Sequence, residues 1–129
     1  MTRYLLDTHT LLWITTDDPK LSERIKNIYL NAENEMFFSL ASIWELAIKS
    51  SLGKITFKKN LDDFIQEHVR GNNIDILRIE MPHVFRIENL PYHHYDPFDR
   101  LLIAQSIENS LTILSADNIF DKYNVTRVW

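Results

Sequence analysis

The chain alternates short apolar runs with segments whose apolar residues recur at helical spacing. Arg3-Tyr4-Leu5-Leu6 is apolar up to Asp7 and reads as a buried first strand. Leu11, Leu12 and Trp13 follow on a helix that Thr8 or Thr10 would cap, and Asp17-Asp18-Pro19 breaks it. Ser22 would cap the next helix, which carries Ile25, Ile28, Tyr29 and Ala32. Glu35 to Ser39 reads as a second strand. A helical pattern then runs from Leu40 to about Leu52, with Gly53 as its stop. Leu61 to Val69 is a further amphipathic helix, Asp75 to Ile79 a short strand and Pro82 to Leu90 another helix. Pro91 to Pro97 is a loop rich in Tyr and His. Pro97 suits the first position of a helix through Ile107, where its missing N–H is not needed. Thr112 to Ser115 is a strand, Asp117 opens a turn or short helix, and Val125 to Val128 is a final strand.

Strands alternating with helices predict an α/β fold with a mostly parallel sheet covered on both faces. In such sheets ligands bind beyond the carboxyl ends of the strands. Asp7 and Asp117 both stand at or just past such an end.

The chain's 129 residues suit one domain, spanning 1–129, and 45% hydrophobic with 25% charged residues is an ordinary globular balance. No cysteine is present, which excludes disulfides and thiolate metal sites and suits a reducing cytoplasm. No cleavable leader pattern is expected, and no apolar stretch approaches the roughly 20 residues of a membrane helix. Only Gly53 and Gly71 occur, too few for a Walker loop or a Gly-rich dinucleotide loop. The net charge of -4 is not that of a basic nucleic-acid binder. Acids gathered in one pocket would change that sign locally if cations bound there.

Each acid has a plain structural alternative. Asp7 suits an N-cap or turn. Glu45 completes an S-x-x-E capping box with Ser42 and has Lys49 as its i+4 ion-pair partner. Its helix is nevertheless apolar nearly all round, so an inward carboxylate would need a partner or a metal. Asp96 suits the N-cap before Pro97. Asp99 is followed, after Arg100, by Leu101, Leu102, Ile103 and Ala104, a largely apolar setting. Asp117 suits a strand-end turn. Taken together, three or four carboxylates at one sheet edge repel unless cations intervene. Hard oxygen donors without cysteine select Mg²⁺ or Mn²⁺, which can activate water for displacement at a phosphodiester. The histidines are weaker candidates: no H-x-x-x-H pair exists, and His68 and His83 read as solvated.

Four segments resemble the motifs of PIN domains in order and spacing across nearly the whole chain. These are Leu5-Leu6-Asp7-Thr8-His9, Ser42 to Lys49, His94 to Gln105, and Leu114-Ser115-Ala116-Asp117. The second and third most resemble the VapC-type toxins of bacterial toxin–antitoxin pairs. The resemblance implies a three-layer α/β/α sandwich with the acids at the carboxyl edge of its sheet. It also implies a Mg²⁺- or Mn²⁺-dependent endoribonuclease acting on an RNA substrate. Its metal-binding, catalytic acids would be Asp7, Glu45, Asp99 and Asp117. Asp96 would be auxiliary, Ser115 would hydrogen-bond within the site, and Arg100 would brace an acid or meet a phosphate. Such toxins usually form homodimers and are silenced by a cognate antitoxin.

Rival phosphoryl-transfer enzymes fit less well. An aspartyl phosphatase would show D-x-D after the first strand, whereas the run here is Asp7-Thr8-His9-Thr10. A receiver domain would place paired acids there, and Asp7 stands alone. The remaining alternative is a PIN-fold RNA- or protein-binding module that has lost its chemistry.

Overall fold

The computed structural model describes residues 2–129. Five strands form one sheet: β1 (Arg3–Leu6), β2 (Glu35–Ser39), β3 (Ile74–Leu77), β4 (Thr112–Leu114) and β5 (Arg127–Val128), in the order β3-β2-β1-β4-β5. Every pairing is parallel, including the final short strand. The intervening helices are α1 (Thr8–Thr16), α2 (Glu23–Leu30), α3 (Leu40–Ser51), α4 (Leu61–His68), α5 (Met81–Glu88) and α6 (Pro97–Asn109). Among the described residues, no helix is long and apolar enough to cross a membrane.

Strand periodicity divides the core in two. Leu6 faces a cluster with Leu11, Ile25, Phe38, Leu46, Ile65 and Leu114, which draws on α1 to α4. Its neighbour Leu5 faces the opposite cluster, with Leu90, Leu102, Ile103, Ile113, Phe120 and Tyr123. Both leucines of the central strand are fully buried. This is the α/β/α sandwich that the sequence pattern predicts.

Local chemistry sets the boundaries, with some corrections. Ser22 caps α2 by accepting from the Ile25 N–H, as expected. Ala32 falls beyond that helix. Neither Thr8 nor Thr10 caps α1; Asp7 does, accepting from the Thr10 N–H at 2.8 Å. The threonine hydroxyls instead reach Glu45 and the Leu114 carbonyl. Ser42 does not open α3 either. β2 runs straight into the helix, so Ser39 is both the last strand residue and the N-cap. Ser42 lies a turn inside, buried, with no partner for its hydroxyl among the described residues. Gly53 takes a positive φ of 71° just past the end of α3, which suits a glycine there.

Candidate active site

The carboxyl ends of β1, β2 and β4 lie side by side at the centre of the sheet. Asp7 follows β1 directly. Its backbone N–H donates to the Leu114 carbonyl, which extends the pairing with β4. Its side chain is buried, with Oδ1 held by the Thr10 N–H and Oδ2 accepting from the Ser115 hydroxyl. The Ser115 oxygen also accepts the Asp117 N–H at 3.0 Å. One buried hydroxyl thus ties two of the expected acids together. Asp117 is exposed and caps the following 3₁₀ turn through the Ile119 N–H.

Glu45 comes in from α3. Thr8 donates to its Oε1 at 2.6 Å, and Lys49 stands 3.1 Å from its Oε2. The expected i,i+4 ion pair therefore exists, and it occupies one oxygen of the carboxylate. Helix α3 is fixed against α6 by two contacts. Ser39 donates to Gln105 Oε1 at 2.6 Å, and Trp44 meets Phe98 edge-on with centroids 5.0 Å apart. This docking brings Glu45 toward Asp99.

Asp99 lies in the first turn of α6, behind the N-cap Asp96. Burial pushes its carboxyl up to about 7, and the charges of Asp96, Asp7, Asp117 and Glu45 add to the shift in that order. Five acids from four stretches of chain therefore share one electrostatic neighbourhood. Hard carboxylate donors with uncompensated charge fit a divalent ion such as Mg²⁺ or Mn²⁺. They are not closed into a cage: among the described residues, no three His or acidic side chains stand close enough to hold an ion. Glu45 is turned to Lys49, and Asp99 Oδ2 is turned to His94 Nε2 at 3.2 Å.

The second half of the site hangs on a buried tyrosine. The Tyr123 hydroxyl faces the N–H groups of His93 and His94 and Nη1 of Arg100, at 3.2, 3.2 and 3.3 Å. The same hydroxyl also hydrogen-bonds His94 Nδ1, 2.8 Å away. Arg100 itself pairs with no acid among the described residues. It is buried, donates to the Leu90 and Pro91 carbonyls, and lies over the Tyr92 ring. A helix turns about 100° per residue, so Arg100 points into the preceding loop while Asp99 points into the site.

The PIN domain model matches residues 4–125. This chain belongs to the PIN domain family. Solved structures give a PIN domain of this shape several counterparts. The VapBC2 structure from Rickettsia felis, bound to a promoter DNA fragment, matches with a TM-score of 0.73 at 14% identity, covering 98% of both chains. DNA-bound VapBC from Salmonella typhimurium gives 0.71 at 16% identity, covering 99% of this chain and 98% of that one. FitAcB from Neisseria gonorrhoeae gives 0.62 at 17% identity, covering 98% and 96%. At these identities the likeness is one of fold. No curated protein matches the chain.

Within this PIN fold, sequence reasoning missed His94, Tyr123 and Arg127. Arg127 pairs with both oxygens of Asp121 at 2.9 Å and donates to the Ser115 carbonyl, bracing the turn that carries Asp117. His83 is buried rather than solvated. Its Nδ1 accepts the Glu80 N–H, and its Nε2 bonds Asn109 at 2.7 Å.

Proposed function

We propose that this PIN domain is a Mg²⁺- or Mn²⁺-dependent endoribonuclease, the VapC-type toxin of a toxin–antitoxin pair. The observation that carries the reading is the convergence of Asp7, Glu45 and Asp117 from three distant segments on Asp99 and its neighbour Asp96, with Ser115 tying Asp7 to Asp117. Asp7, Glu45, Asp99 and Asp117 would hold the ion, with Asp96 beside them. When bound, such an ion supplies positive charge for water activation and for the oxygens of a phosphodiester under attack. Ser115 orients Asp7 and anchors the backbone of Asp117. His94 fixes one oxygen of Asp99, leaving the other free to face the ion. Thr8 holds Glu45 from the opposite side, and Lys49 is the resident cation whose place an ion bound by Glu45 would take.

Exposed apolar stripes support protein partners. Leu40, Trp44, Ile48 and Leu52 line one ridge of α3, and Met81, Val84 and Phe85 line α5. Two separate stripes suit a homodimer contact and an antitoxin contact. The structural neighbours VapBC and FitAcB are complexes, which supports the second role.

The test is cleavage of RNA by the purified chain, with Mg²⁺ or Mn²⁺ and with EDTA. Cleavage should vanish in chelator and in Asp7→Asn, which keeps the Oδ1 cap of α1 and removes the charge. Asp7→Ala should lose the cap as well, about 1 kcal/mol of stability. Cutting that persists in EDTA refutes metal dependence. A folded, metal-supplied chain inert on every RNA favours a binding module that has lost its chemistry.

A further inference from the structure

Tyr92 and Tyr95 are 65% and 79% exposed, the second being the most exposed large aromatic side chain described. They do not extend the apolar stripes of α3 or α5. Instead their rings lie nearly parallel, 28° apart in plane, with centroids 5.4 Å from each other. The guanidinium of buried Arg100 covers one face of Tyr92 at 3.9 Å. The loop beneath is pinned at the Leu90 and Pro91 carbonyls by Arg100, and at the His93 and His94 N–H groups by Tyr123. Two rings held in water on a fixed backbone are preorganised for a planar ligand. The residue after Tyr95 is Asp96, which caps the helix carrying Asp99.

We infer that Tyr92 and Tyr95 form a stacking platform for an unpaired nucleobase of the RNA strand entering the acidic site. The inference rests on the ribonuclease reading above. It also resolves a difficulty in that reading. With a net charge of -4 and a cluster of acids at the site, the chain has little electrostatic grip on phosphates. Stacking is indifferent to charge, and every base has a π face to offer. A duplex keeps its bases stacked on one another, so the platform selects single strands, loops or bulges. The Arg100 cation polarises Tyr92 from behind, and its burial keeps that interaction out of competing water.

The experiment uses the full chain and a short unstructured RNA, with binding followed by fluorescence anisotropy in EDTA and again in Ca²⁺. Tyr95→Ala should weaken binding about tenfold or more, whereas Tyr95→Phe, which keeps the ring, should bind like the parent. One abasic nucleotide at the stacking position should weaken parental binding comparably and leave the Tyr95→Ala complex unchanged. In cleavage assays the Tyr95→Ala defect should fall on KM more than on kcat. Both side chains are exposed, so melting temperature should hold and separate a binding loss from misfolding. Equal binding by parent and Tyr95→Ala overturns the inference, as does an abasic penalty that persists in Tyr95→Ala. Unchanged RNA binding with an altered oligomeric mass assigns the pair to a protein contact and also overturns it. Tyr95-dependent binding without cleavage would sink the nuclease reading and leave the platform standing. Cleavage with an unchanged KM in Tyr95→Ala would do the reverse.

Discussion

The hydroxyl of Ser115 donates to Oδ2 of Asp7 across a sequence separation of 108 residues, and both groups are buried. The same oxygen receives the N–H of Asp117. Ser115→Ala strips one partner from each. Leaving buried polar groups unpaired costs about 1–3 kcal/mol, so urea denaturation should show a loss of that order. Cleavage should fall by more than the stability loss explains, because Asp7 is then free to turn. Cleavage at the parental rate in folded Ser115→Ala would show that Asp7 is oriented by something else.

Asp99 makes the metal-free protein sensitive to pH in a defined sense. Its carboxyl titrates near 7 in the fold, against 3.8 ordinarily. Between those values the folded state binds more protons than the unfolded one, so stability declines as pH rises from about 4 to about 7 and levels off above. Asp99→Asn has no such proton to lose. Its melting temperature should exceed the parent's at pH 7.5, with the gap closing toward pH 4. Parallel melting profiles for the two proteins across this range would contradict the shift. Because Mg²⁺ or Mn²⁺ needs the ionised form, affinity should strengthen as pH passes 7.

Lys49 acts as a resident counter-charge for Glu45 at 3.1 Å. On the proposed reading an incoming divalent ion would have to displace it. Lys49→Met should therefore tighten Mn²⁺ binding in calorimetry. The metal-free fold should change by less than about 1 kcal/mol, since the pair is partly exposed. The Mn²⁺-dependent rise in melting temperature should grow accordingly. Weaker Mn²⁺ binding in this variant would mean that Lys49 supports the metal site.

Ser42 carries a buried hydroxyl without a partner among the described residues. Ser42→Ala removes an unsatisfied polar atom and raises helix propensity at an interior position. The protein should become more stable by about 0.5–1 kcal/mol, read as a higher melting temperature. A clear loss of stability would show that the hydroxyl has a role that its packing does not reveal.

Much of the fold was legible because its signals are local. The apolar run before Asp7, the Ser22 cap and Pro97 at the start of α6 each depend on a few adjacent residues. The placement of Asp7 and Asp117 just past the ends of β1 and β4 was legible for the same reason, since each follows a short apolar run. What escaped depends on distance or competition. Ser42 and Glu45 match a capping box, but Ser39 caps α3 first because no loop separates it from β2. Arg100 looked like a partner for its acidic neighbours, whereas helical twist turns it toward the Leu90 and Pro91 carbonyls. His94 and Tyr123 are 29 positions apart, and nothing local marks either as the other's partner. His83 read as a solvated helix residue because its Asn109 partner lies on another helix.

The strand order β3-β2-β1-β4-β5 places the first strand made in the middle of the sheet. Asp7 is therefore synthesised early, yet the groups that orient and surround it come from residues 45, 99, 115 and 117. A nascent chain carries this carboxylate out of the ribosome well before its companions exist. On this topology the proposed site would be completed late in biosynthesis, only when β4 docks beside β1.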